Sequence, residues 1–380
     1  MGDEARRLDR SAAPSLRMSP APQASGMRIV GSRVKVLVDA INDFRKLGVD
    51  NVVTLPELVL IGDQSAGKSS LMGALAEIHL PRSSGCCTRC PAHIKTSPAL
   101  QWNCKISLQK QYSYEPKAGK LLDPKDVTRS HPFPPWVELA SSEIKQFKTI
   151  YHKNDLEEVL KWAQIATLNP DTEHTRYVPG HENFLDDEST QAKFSPNVVS
   201  VEISGPGLPS LSFYDLPGIF QNAGHKEDQY LVKVIENLAA KYIKHPEALI
   251  ICALPMSADP ATSRTAKVIS DLKADKRCIG VLTKADQLQE GQSYEEFFKL
   301  LQGREHVVGH GYYVTKQPVQ SANDKAVLNY HKNARDQEEH FFRTNYPWCK
   351  DWDQFRDRFG TINLQLALSQ KFAQQIAARY

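Results

Sequence analysis

Glu57-Leu-Val-Leu-Ile61, followed by Gly62-Asp63-Gln64-Ser65-Ala66-Gly67-Lys68-Ser69-Ser70, decides how the rest of the chain is read. The first five residues are a short apolar run of the kind that forms a buried strand. The next stretch fits G-x-x-x-x-G-K-[ST]. Leu71, Leu75 and Ile78 then recur at helical spacing. Strand, glycine-bounded loop and helix open an α/β domain. The glycines let successive backbone N–H groups curl around an anion. The helix that starts there points its N-terminal partial charge at the same place. Lys68 is expected to reach the β/γ-phosphates of a nucleotide, and the Ser69 hydroxyl to bind Mg²⁺. The alternative is a chance match in a turn, and the strand before and helix after weigh against it.

Working outward, short apolar runs recur at Val198–Ile203, Leu211–Tyr214, Leu249–Leu254, Ile279–Leu282 and Tyr312–Val314. Helical patterns separate several of them, including Tyr230 to Tyr242 and Thr265 to Leu272. That alternation predicts a mostly parallel sheet with helices on both faces. Residues 115–195 differ, being charged, rich in loops and poor in β-branched runs. They read as an insertion with one helix, Asp155 to Leu168. Val34, Leu37, Val38, Ile41 and Phe44 share a helical face near the N-terminus, and Leu364, Leu368, Phe372 and Ile376 share one near the end. Residues 1–32 read as a disordered Ala/Ser/Pro/Arg-rich tail. Ser204-Gly-Pro-Gly207-Leu-Pro209 reads as a hairpin turn, since its prolines lack the N–H donors of a dinucleotide fingerprint.

Two further motifs refine the chemistry. Tyr214-Asp215-Leu-Pro-Gly218 ends a strand with D-x-x-G. Asp215 can hold Mg²⁺ through water, and the Gly218 N–H can sense a γ-phosphate. Taken alone, the motif could be an ordinary strand-end turn. Cys278-Ile-Gly-Val-Leu-Thr283-Lys284-Ala-Asp286 ends another strand in T-K-x-D. A carboxylate at Asp286 pairs with the N1–H and exocyclic amine of guanine. Adenine lacks that pattern and would leave the acid unpaired. The Lys284 stem can cover the base. In isolation this too could be a solvated turn; the order of the three motifs argues for a guanine nucleotide.

The strings Gln64-Ser-Ala-Gly-Lys-Ser-Ser70, Pro81-Arg-Ser-Ser-Gly-Cys-Cys-Thr88-Arg-Cys-Pro91, Phe194-Ser-Pro-Asn-Val198, Asp215-Leu-Pro-Gly218 and Thr283-Lys-Ala-Asp286 resemble the dynamin family of large GTPases over about residues 33–376. The subgroup that looks nearest is the dynamin-like proteins of filamentous fungi. The resemblance implies a P-loop GTPase fold with a small flanking helical bundle. It also implies hydrolysis of GTP to GDP and phosphate with Mg²⁺. Thr88 matches the switch threonine that completes the Mg²⁺ shell, and Gln64 matches the catalytic glutamine. Ser65 matches the residue that holds a monovalent cation (Na⁺ or K⁺), with carbonyls from Ser83 and Gly85. Asp259 resembles a residue that reaches across a transient homodimer of GTPase domains. Thr315-Lys316 stands where the family has Asn-Arg near the base, and Cys90 departs from the usual T-R-R-P. The residues themselves agree on one point: Ile219 follows D-x-x-G and cannot orient water, so the polar group must come from elsewhere.

The resemblance divides the chain into a tail at 1–32, a bundle helix at 33–50, a GTPase domain at 51–345 with the insertion at 115–195, and a C-terminal helical segment at 346–380. Thr88 to Asp215 spans 215 − 88 = 127 residues, long for the family core. No stalk is expected to follow, so membrane or cytoskeletal association rests on resemblance alone. The competing expectation is a GTP-dependent interaction module with little hydrolysis of its own.

Composition agrees with these readings and excludes others. The 380 residues carry 47 basic and 44 acidic side chains, a net +3, which gives no bulk charge for nucleic acid. The longest apolar run, Ala248 to Leu254, is far short of the about 20 residues of a membrane span. Seven cysteines in no regular framework read as reduced thiols in a cytoplasmic protein, with peripheral membrane attachment as the family's variant. Cys86-Cys87-x-x-Cys90-x-x-His93 has metal-ligand spacing. A closed zinc site would freeze the loop that holds Thr88, so plain thiols are expected there.

Overall fold

The computed structural model describes residues 57–78, 80, 88–117, 119, 121–206, 208, 211–288, 292–318 and 330–377. The tail and the bundle helix expected before residue 51 lie outside them, as do Ser83, Gly85, Cys86 and Cys87. The strands are β1 (Leu58–Gly62), β2 (Ala92–Pro98), β3 (Asn103–Tyr114), β4 (Trp136–Ile150), β5 (Val198–Gly205), β6 (Leu211–Asp215), β7 (Leu249–Pro255), β8 (Cys278–Thr283) and β9 (Tyr312–Val314). The helices are α1 (Lys68–Ala76), α2 (Leu156–Leu168), α3 (Gln229–Ile243), α4 (Arg264–Asp271), α5 (Gln292–Leu301), α6 (Tyr330–Thr344) and α7 (Thr361–Ala377).

Among the described residues these nine strands form one sheet in the order β4-β3-β5-β2-β6-β1-β7-β8-β9. The run β6-β1-β7-β8-β9 is parallel throughout. β2 is antiparallel to β6 and parallel to β5, and β3 is antiparallel to both neighbours. This is the expected α/β fold with a largely parallel central sheet.

The apolar runs form central strands because both faces of the sheet are covered. On β1, Leu58 and Leu60 face one core while Val59 and Ile61 face the other. β7 repeats the pattern, with Leu249 and Ile251 on the first side and Ile250 and Cys252 on the second. This period of two is the pleat of a strand. The first core is closed by Leu71 and Leu75 of α1, Leu156 and Leu160 of α2, and Leu364, Leu368 and Phe372 of α7. The second is closed by Val234 and Leu238 of α3, Ile269 of α4, Phe297 of α5 and Phe342 of α6. α6 and α7 make the smaller helical layer beside β9. Full burial of each such side chain contributes about 1.5–3 kcal/mol.

Two expectations are corrected. Ser204–Pro209 was expected as a hairpin turn, yet β5 and β6 do not pair: β2 lies between them. Residues 115–195 were expected to be an insertion of long loops with one helix. The helix is there as α2, but so is the 15-residue strand β4. Residues 140–146 of β4 are all exposed, so the strand shows no alternation. It is held by backbone pairing to β3 across two register shifts. The insertion is tied to the core at Trp136, whose Nε1–H donates to the Phe194 carbonyl at 3.0 Å. Asn197 Oδ1 accepts from the Gln111 and Tyr112 amides at 2.8 Å.

Candidate nucleotide site

The site is assembled at the carboxyl ends of β1, β6 and β8. β1 ends in a turn in which the Ala66 amide donates to the Asp63 carbonyl at 3.1 Å. Ser65 (φ 63°) and Gly67 (φ 82°) both take the left-handed conformation. Such a reversal turns backbone N–H groups into a concave nest for an anion. α1 begins at Lys68 with no side-chain cap on its first amides, which leaves them oriented toward the loop. Lys68 is buried, and its ammonium donates to the carbonyls of Gly62 (3.2 Å) and Asp63 (3.1 Å). It therefore folds back over the loop that it is expected to serve.

β6 delivers Asp215 to the same place. Ser69 Oγ and Thr88 Oγ1 each donate to Asp215 Oδ2 at 3.3 Å, and the two hydroxyls lie 3.5 Å apart. Asp215 is 4% exposed, and burial pushes its carboxyl up to about 6 against the opposing pull of Lys68, Thr88 and Ser69. Its Oδ1 is buried with no hydrogen-bond partner among the described residues. An orphaned carboxylate oxygen beside two hydroxyls is a hard-oxygen donor set, and it fits Mg²⁺. Among the described residues no group of three or more His, Cys, Asp and Glu could hold a metal. Cys90 is buried, while His93 Nε2 pairs with Ser212 Oγ at 2.8 Å and stacks on Tyr214.

Gly218 closes the site from the β6 side. A Cβ there would lie 2.9 Å from both Gln64 Cα and Lys68 Nζ. The next residue, Ile219, is bonded to the loop in both directions: its N–H donates to the Gly62 carbonyl (3.1 Å) and its carbonyl accepts from the Gln64 N–H (2.8 Å). Gln64 and Ser65 are exposed at the crest of the loop.

β8 contributes Thr283, Lys284 and Asp286. Thr283 is buried, and its hydroxyl donates to the Ala66 carbonyl at 2.7 Å. Lys284 takes a left-handed conformation (φ 57°), which turns the chain so that Asp286 emerges exposed. The Thr315 carbonyl accepts from the Ala285 amide, so the end of β9 braces this turn. Thr315 itself is fully buried and its Oγ1 has no partner among the described residues. The Lys316 amide donates to Glu338 Oε1 at 2.8 Å, and its ammonium sits over the Phe341 ring. Lys316 is thereby committed to α6. Asp259 is exposed, and Oδ1 accepts from the Ala261 amide at 2.7 Å within its own loop. Ser70 lies half-buried in the first turn of α1.

Asp63 was expected to touch the nucleotide. Its carboxylate accepts from the Thr265 amide (2.9 Å) and hydroxyl (2.6 Å) at the start of α4, which leaves its backbone to face the loop. Thr265 was not singled out in the sequence; a lone threonine in a helix gives no signal. Glu338 was missed too. Buried on α6, it accepts from the Lys316 and Thr361 amides and pairs with Arg335 at 2.8 Å. In the sequence it is one acid among several in a charged helix.

The model of the dynamin family matches residues 58–285, more than half of the chain and every strand that carries the site except β9. The chain belongs to the dynamin family. Its relatives include the interferon-induced GTP-binding protein Mx2 of Bos taurus, 28% identical over 79% of this chain and 34% of that protein. The Mx protein of Ctenopharyngodon idella is 26% identical over 86% of this chain and 44% of its own. That of Perca fluviatilis is 28% identical over 68% of this chain and 69% of its own. The chain thus spans a third to under a half of the first two. These relatives are distant and vertebrate, and nothing in them points to the filamentous-fungal subgroup. Among the described residues no helix is long and apolar enough to cross a membrane.

Proposed function

We propose that this dynamin-family chain binds and hydrolyses GTP, a GTPase acting on an acid anhydride, with Mg²⁺ required and turnover raised by transient dimerisation of GTPase domains. The observation that carries the reading is the meeting of Ser69, Thr88 and Asp215 within 3.3–3.5 Å, beside the uncapped start of α1. Ser69, Thr88 and Asp215 would hold Mg²⁺, which neutralises charge on the phosphate oxygens when bound. Lys68, now on the Gly62 and Asp63 carbonyls, exchanges those bonds for β/γ-phosphate oxygens. The backbone from Gly62 to Ser65 shields the leaving oxygen, while the amides of Gly67, Ser69 and Ser70 line the anion nest and Ala66 closes the turn beneath it. The Gly218 N–H faces the γ-phosphate. Thr88 and Gln64 hold the attacking water, and Gln64 stands at the exposed crest where water arrives. Phosphoryl transfer depends mainly on such positioning and charge neutralisation.

Asp286 reads guanine, with Lys284 over the base and Thr283, Thr315 and Lys316 behind it. Ser65 is proposed to hold the monovalent cation. Asp259 is proposed to reach the partner after leaving its bond to Ala261. Placement in the fungal subgroup and peripheral membrane attachment rest on the motif resemblance, and a cytoplasmic location on the reading of the cysteines as reduced thiols.

Lys68→Ala removes the buried ammonium from the loop. GTP hydrolysis should fall by at least about a thousandfold, as loss of a major charge-stabilising group implies, while far-ultraviolet circular dichroism stays unchanged. Parental turnover by a folded variant would refute the assignment. A wild-type rate rising faster than linearly with protein concentration supports dimer stimulation; a flat specific rate removes it.

A further inference from the structure

A second concave surface lies away from the phosphate loop, where the segment between β3 and β4 packs on α3. It encloses a cavity of about 810 Å³, within the usual range for small-molecule pockets (about 300–1,000 Å³). Arg129 enters from the segment. Lys233 and Lys241 lie on one face of α3, and Lys244 is its C-cap. The span from Lys233 to Lys244 is roughly 16 Å along the helix axis at 1.5 Å per residue. The positive groups are therefore spread along the cavity and not focused at one point.

None of these four cations forms an ion pair among the described residues. The carboxylate lining the cavity is Glu236, and it is already engaged by Arg264 Nε at 2.5 Å. Lys241 donates to two neutral acceptors, Gln111 Oε1 (3.1 Å) and Tyr112 OH (3.2 Å), and sits over the Tyr112 ring. That leaves one ammonium N–H to donate. Burial lowers its pKa, and the nearby charge of Glu138 offsets this only in part. Lys233 is held by the Pro124 carbonyl at 3.0 Å, and Asn237 by that of Pro132 at 3.1 Å. The wall is thus braced from both sides. The helix C-terminus adds only about half a negative charge near Lys244. Four cations against the single lining carboxylate Glu236 leave a positive surplus in one hollow, and a concave wall of one sign concentrates such a field onto an anion.

We propose that this cavity binds a ligand bearing two or more phosphate groups, either free in solution or as a lipid headgroup. A single phosphate could not span the four cations. Val127, partly exposed beside them, suits the ring or carbon frame that carries the phosphates.

The test titrates inositol trisphosphate into the full chain saturated with GDP and Mg²⁺, followed by calorimetry. The same titration on Lys68→Ala separates this site from the phosphate loop, so failure of the nucleotide reading would leave the result interpretable. Binding should weaken at least tenfold in the Lys241→Gln/Lys244→Gln double variant and fall steeply with added salt. Lys332→Gln, exposed on α6, should leave it unchanged. Lys233→Gln/Lys244→Gln, which keeps Lys241 on its Gln111 and Tyr112 acceptors, should show the same loss if the first pair proves unstable in thermal melts. A parallel arm uses phosphatidylcholine vesicles with and without phosphatidylinositol bisphosphate. Binding to both probes, or to vesicles alone, supports a headgroup; binding to the soluble probe alone supports a free metabolite. Absence of binding in both arms, or equal binding by wild type and both double variants, overturns the proposal.

Discussion

The Thr283 hydroxyl donates to the carbonyl of Ala66 at 2.7 Å across 217 residues of sequence. The residue that opens T-K-x-D is therefore bonded to the buried side of the phosphate loop. A Cβ on Gly67 would lie 3.6 Å from the same hydroxyl, so the two segments are packed as well as bonded.

Thr283→Val keeps the shape of the side chain and removes the donor, leaving the Ala66 carbonyl unsatisfied. An unmade buried hydrogen bond costs about 1–3 kcal/mol. Denaturant unfolding should show that loss, and GTP affinity should drop about tenfold because the loop and the base-reading turn lose their shared anchor. Unchanged stability and affinity together would mean that the bond is incidental.

Gly218→Ala tests how closely β6 approaches the loop. The new methyl would meet backbone at Gln64 Cα as well as the flexible Lys68 ammonium, both at 2.9 Å. Backbone cannot yield as the ammonium can. Turnover should fall about a hundredfold, on the scale of losing one positioned donor, with GDP binding reduced much less. Single-turnover hydrolysis and GDP titration measure the two separately.

The elements legible in the sequence are those whose burial is symmetric. β1, β7 and β8 are buried on both faces, so their apolar runs announced them. β4 is the opposite case: its middle is exposed on both faces, and backbone pairing to β3 holds it without any pattern of side chains. The order of β2 between β5 and β6 was equally hidden, because antiparallel insertion of a strand leaves no local mark. At the site, Lys68, Ser69, Asp215 and Thr283 were legible because phosphate and metal chemistry fixes both residue type and spacing. Thr265 and Glu338 were not, since their partners, Asp63 and the Lys316 and Thr361 amides, are far away in sequence.

Alkaline pH should unfold the chain progressively. Burial pushes the Cys104 thiol from 9.0 up to about 12, and the Tyr112 and Tyr230 phenols from 10.0 up to about 12. Each is an acid whose folded pKa lies above its unfolded value. Its contribution is fully present below the unfolded pKa and is lost as pH rises through the folded one. Thermal midpoints should therefore decline between about pH 9 and 12, and Tyr112→Phe should flatten part of that decline. A midpoint constant across that window would contradict these burial effects.

The most direct test of the central claim, that the Lys68 loop and Asp286 form one guanine-nucleotide site, is calorimetric titration of GTP, ATP and xanthosine triphosphate with Mg²⁺ into wild type and Asp286→Asn. A site built to hydrogen-bond its ligand rejects an analogue lacking those groups by large factors. Wild type should bind GTP at least a hundredfold more tightly than ATP. Asp286→Asn should lose GTP affinity and gain preference for xanthosine triphosphate, whose ring carries a carbonyl in place of the amine. Wild type giving no heat with GTP, or favouring ATP, would contradict the account.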